Sequence, residues 1–136
     1  MGRHLRFIVL ILCSVLLAPV PWALAEPVNN VANHPIISLS KKLTADDIRK
    51  NIIIAGLKRH WHFEEVAPGQ LKGTQGSGKR QATISLTFTD AAYSITLLES
   101  VGLDQKGDQV ARRYNGWVRY LLQDIDDQLS KAALGA

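Results

Sequence analysis

Three side chains on one short stretch, His60, His62 and Glu64, have the types and spacing of a metal site. On a single strand they would share one face, with successive α-carbons about 6 to 7 Å apart, and could hold zinc with one position left for water. A second reading places His60 at the end of a helix, where an imidazolium complements the helix dipole instead of ligating. The choice turns on whether His60 lies on the strand or closes the helix. A zinc-binding protein or zinc-dependent enzyme is therefore one function class to weigh, and zinc is the one cofactor these residues suggest.

Further along, Gly73-Thr74-Gln75-Gly76-Ser77-Gly78-Lys79-Arg80 has the glycine and lysine spacing of a phosphate-binding loop. Arg80 stands where a Ser or Thr hydroxyl must hold magnesium, and from Ala82 onward the pattern predicts a strand where the phosphates need a helix N-terminus. Nucleotide hydrolysis is set aside on both counts. The stretch reads instead as a basic hairpin tip, with Lys72, Lys79 and Arg80 available to an anionic surface.

Hydroxyls are frequent at Thr83, Ser85, Thr87, Ser94 and Thr96, yet no His and Asp are spaced to activate any of them. They read as strand-favouring residues that keep an outer sheet face polar. Asp124, Asp126 and Asp127 read as a solvated helix end, not as a paired acid and base.

The elements that must position these residues follow from periodicity. Thr44 with Asp47 resembles a capping box, and Ile48, Ile52 and Ala55 then recur at helical spacing, which predicts a helix ending near His60. From Trp61 the period becomes two. Pro68-Gly69 supplies a turn requiring positive φ at its second central residue, and Gln70 to Gln75 returns as a short strand. Ala82, Ile84, Leu86 and Phe88 then face one side, continued by Tyr93, Ile95 and Leu97 after a tight connection at Thr89 to Ala92. Such alternation belongs to an antiparallel sheet covered on one face.

Asp108 is positioned to cap a second helix, whose stripe of Val110, Tyr114, Trp117, Val118, Leu121, Ile125 and Leu129 must bury against the same sheet. The expected fold is α+β: a two-layer sandwich in which an antiparallel three- to four-stranded meander carries an N-terminal and a C-terminal helix on one face.

The N-terminal residues point to export. Arg3, His4 and Arg6 precede an apolar run from Phe7 to Ala18, Pro19 and Pro21 interrupt it, and Ala23-Leu24-Ala25 offers small residues to a signal peptidase. The run is shorter than a membrane-spanning helix requires. The expected organisation is a signal peptide over 1–25, a flexible leader over 26–43 and a single α+β domain over 44–136. The leader reading rests on Pro27, Asn29, Asn30, Asn33 and Pro35.

Cys13 is the only cysteine and lies within the signal, so disulfides, thiolate catalysis and cysteine zinc sites are excluded from the processed chain. Sixteen basic residues face twelve acidic ones, and without Arg3 and Arg6 the excess falls from +4 to +2. That balance implies no nucleic-acid partner.

Ala92-Tyr93-Ser94-Ile95, then Ser100 and Leu103, then Tyr114-Asn115 with Trp117-Val118 form a pattern that resembles small exported bacterial proteins of unknown function, many described only as hypothetical or as lipoproteins. The resemblance runs from Asp46 to Leu129 and implies no activity. His60 stands before Trp61 where that pattern has glycine, and Asp104 follows Leu103 where it has an aromatic residue. On the residues themselves, Tyr114 and Trp117 are expected in the core, with Asn115 beside them able to cap a sheet edge by hydrogen bonding. The reading that results is a non-catalytic periplasmic or secreted protein that binds an envelope protein or polymer through its polar sheet face or an exposed sheet edge.

Overall fold

The computed structural model describes residues 25–37 and 41–135. The stretch read as a signal peptide lies, up to Leu24, outside the described residues. The fold is α+β, with two helices packed on one face of a five-stranded antiparallel sheet and a small two-stranded sheet beside them. In chain order the elements are β1 (Ala25–Pro27), β2 (Val31–Pro35), α1 (Ala45–Lys58), β3 (Trp61–Ala67), β4 (Gln70–Ser77), β5 (Arg80–Phe88), β6 (Ala92–Val101), β7 (Gln109–Ala111) and α2 (Arg112–Ala133). The main sheet runs β2-β6-β5-β4-β3, and β1 pairs with β7.

Helix α1 starts where its capping box places it. The Asp47 amide donates to Thr44 Oγ1 at 3.1 Å and the Thr44 amide donates to Asp47 Oδ2 at 3.0 Å, satisfying two amides that the helix leaves open. Ile48, Ile52, Ala55 and Gly56 form its buried side. Gly56 is required by packing. A Cβ there, or at Gly73 on β4, would overlap the ring of Phe63, so the two glycines form a slot for that side chain.

The β3–β4 turn has Gly69 at φ 73°, as the Pro68-Gly69 pair demands. Strand β4 continues to Ser77, and the reversal into β5 uses Gly78 and Lys79 between paired Ser77 and Arg80. Ala82, Ile84, Leu86, Tyr93 and Ile95 are fully buried beneath the helices, with Phe88 nearly so. This matches the alternation in the sequence.

Two expectations are corrected. The stretch read as a flexible leader contains β1 and β2, and β2 pairs with β6 as the fifth strand of the main sheet. Its asparagines serve tertiary contacts: the Asn29 amide donates to Asn115 Oδ1 at 2.9 Å, and Asn30 Oδ1 accepts from the Leu97 amide at 3.1 Å. Val28, Val31 and Ile36 pack on the core. Asp108 does not cap α2 either. Residues 109–111 are drawn into the β1–β7 pair, so the helix begins one strand later at Arg112, with Ala111 as an N-cap that has no side-chain bond. Pairing with a distant segment overrides the local capping preference.

Candidate functional site

His60 closes the helix. It lies in the turn after α1 with φ 65°, the left-handed region that favours glycine, while strand pairing begins at Trp61. His62 and Glu64 share the uncovered sheet face, opposite Thr74 and Lys72 respectively. Among the described residues no three His, Cys, Asp or Glu side chains gather as a metal-binding group. Lys79 and Arg80 are at the hairpin tip, but Lys72 is mid-strand, paired with Glu64 and Ser85. The three cations therefore do not share the tip.

The uncovered face is built from cross-strand rungs. Glu64, Lys72, Ser85 and Thr96 form one, and His62, Thr74, Thr83 and Glu99 form the next. Antiparallel register places these side chains side by side across four strands. Thr83 is only 6% exposed at the centre, while His62, Glu64, Lys72, Thr96 and Glu99 are open to solvent.

The aspartates of α2 are each engaged. Asp124 Oδ2 accepts from Arg59 Nε at 2.7 Å, and Asp127 pairs with Lys131 at 3.0 Å. Asp126 accepts from Tyr93 Oη at 2.8 Å and its other oxygen lies 2.8 Å from His34 Nε2. Burial, with the adjacent Asp126, pushes the Tyr93 hydroxyl far above its usual range, so it remains a donor. The network ties β2 and β6 to α2. Nothing local in the sequence announces it, because His34 lies 92 residues from its partner.

Asn115 forms a second tie. Its Nδ2 donates to the Pro27 carbonyl at 2.9 Å and to Glu26 Oε2 at 3.1 Å, while its Oδ1 accepts from the Asn29 amide. Glu26 also meets Arg112 Nε at 2.9 Å, and the Asn115 bond, then Arg112, holds its carboxyl below the usual range. Edge capping by Asn115 is thus directed at the N-terminal segment.

At the opposite side of the helix layer a recess of about 220 Å³ is lined by Lys58, Arg59, His60, Gln75, Trp117 and Tyr120. Trp117 and Tyr120 are three residues apart on α2 and so on one helix face. The Arg59 guanidinium lies 4.8 Å from the centre of the Tyr120 ring, and Trp117 meets the buried Trp61 edge-on at 6.5 Å. Gln75 Oε1 and Trp61 Nε1 are buried and have no hydrogen-bond partner among the described residues. The sequence reading expected Trp117 in the core, against which it packs partly buried, and weighed His60 as a metal ligand or a helix end, where it lies. Both line the recess beside Gln75.

No helix among the described residues is long and apolar enough to cross a membrane. Comparison with known proteins finds no match for this chain among family models, curated sequences or solved structures.

Proposed function

We propose that this protein is exported and acts as a non-catalytic binding protein of the bacterial envelope, presenting the uncovered face of its sheet to a protein or polymer partner. One observation carries the reading: side-by-side polar rungs cross four strands on a face with no helix over it. Such a face offers hydrogen-bonding groups at fixed 4.5–5.5 Å lateral intervals and suits an extended surface more than a small substrate. The signal-like start up to Ala25 supports export.

A photo-crosslinking amino acid replacing Ser85 tests the reading in producing cells, with the same probe at Lys131 on α2 as the control. The Ser85 probe is expected to yield a discrete adduct on a chain whose mass begins at Glu26, and the Lys131 probe none. Adducts equally frequent from both positions, or absent from Ser85, would remove the face from consideration; a recovered chain retaining Met1 would remove export.

A further inference from the structure

We infer that β3, the open edge of the main sheet, pairs with β3 of a second copy of this chain, in an antiparallel register centred on Phe63. The inference goes beyond the binding reading and does not rest on it, because it uses the edge of the sheet and not its face.

The two edges of the sheet are finished differently. β2 has a break in register between Val31 and His34, a left-handed φ of 50° at Asn33 and a proline at its end, and His34 ties it to Asp126 of α2. These features discourage an added strand. β3 pairs with β4 in unbroken register from Trp61 to Glu65, and among the described residues no strand lies on its outer side. His60, with its left-handed φ, precedes that run, and a shift of register between Glu65 and Ala67 ends it. The regular stretch is therefore Trp61 to Glu65, and Phe63 is its midpoint.

The order of residues in that stretch is self-complementary. A two-fold axis at Phe63 sets His62 of each copy opposite Glu64 of the other, both on the uncovered face. Directly opposed side chains stand about 4.5–5.5 Å apart, and an imidazole always has an N–H to give a carboxylate. Neighbouring registers lose this match: an axis through Glu64 opposes two carboxylates, and an axis through His62 opposes two imidazoles. Acidic side chains on an edge ordinarily repel a second strand. Here Glu64 meets a donor, and Glu65 enters the seam with Arg49 Nε of its own chain 3.5 Å away.

The helix layer adds apolar area. Arg49, Ile53 and Leu57 follow at steps of four along one flank of α1, and the contact of Arg49 with Glu65 turns that flank toward β3. Leu57 is 53% exposed, and Ile53 and Phe63 are only partly buried. Two-fold pairing puts both α1 helices on the same side of one continuous sheet, so their flanks face each other and Phe63 meets its own copy across the axis.

The test is sedimentation of the protein recovered from producing cells, over a range of concentrations. The unsubstituted protein is expected to pass from monomer to dimer below about 1 mM, as suits a short interface. His62→Glu sets a carboxylate opposite Glu64 at both symmetric positions, and Glu64→His sets an imidazole opposite His62. Each variant alone should dimerise about tenfold more weakly. An equal mixture of the two variants should dimerise as the unsubstituted protein does, because each then faces the complementary residue of the other. Both positions are exposed, and recovery on mixing cannot come from misfolded chains. A monomer at every concentration, an undiminished dimer in either variant alone, or no recovery in the mixture would each overturn the assignment. The crosslinking outcome at Ser85, two strands in from β3, does not depend on any of these.

Discussion

Where the N-terminal segment meets α2, the polar groups brought together by folding find partners: Asn115 makes three hydrogen bonds, and Asp126 accepts from Tyr93 while its other oxygen meets His34. Where α1 hands the chain to β3, Trp61 Nε1 and Gln75 Oε1 are buried without partners and His60 takes a left-handed φ. The first region is finished by the chain itself and reads as an anchor. The second leaves a buried donor and a buried acceptor without partners among the described residues, and such groups are costly. The contrast separates a corner that the chain completes for itself from one that it leaves partly unpaired.

The strongest way to break the anchor is Asn115→Ala, which removes three bonds at a residue only 6% exposed. A loss of about 3 kcal/mol in urea unfolding is expected, with faster amide exchange over Gln109–Ala111 as β1 detaches. A stability change no larger than that of a surface substitution would show that the N-terminal segment is not held there. Next in size, the two buried tyrosines sharpen the comparison. Tyr93→Phe removes a hydroxyl bonded to a carboxylate and should cost about 1.5 kcal/mol, whereas Tyr114→Phe removes one with no partner and should leave stability equal or slightly higher. Equal losses in thermal melts would erase the distinction between matched and unmatched groups. The smallest effect is expected from His60→Gly, which relieves the left-handed backbone and should stabilise by about 1 kcal/mol. No gain in a thermal melt would show that the left-handed turn costs this residue nothing.

The sheet and helix layers were legible because their signals are local. Thr44 and Asp47 are three residues apart, Pro68-Gly69 is a dipeptide, and the alternation from Ala82 to Phe88 needs no partner to be seen. β1, β2 and β7 were not legible. Each is short and takes its conformation from a strand far away in sequence, and the polar asparagines that suggested a leader are the groups that fasten it. The recess beside α1 was half legible. His60 was singled out for chemistry, and its expected alternative, closing the helix, is where it lies. Gln75 carried no signal, since an unmatched amide oxygen becomes visible only when Trp61 and Trp117 are packed around it.

The pairing of Ala25 with Ala111 bears on the order of events during biogenesis. A signal peptidase needs its scissile bond in an extended, accessible chain, and on the export reading that bond joins Ala25 to Glu26. In the fold of the uncut chain both residues lie in β1, and Glu26 is fastened to Asn115 and Arg112. On that reading, cutting comes before this corner closes: a chain that folded early would shield its own cleavage site, and maturation becomes a race that the peptidase has to win.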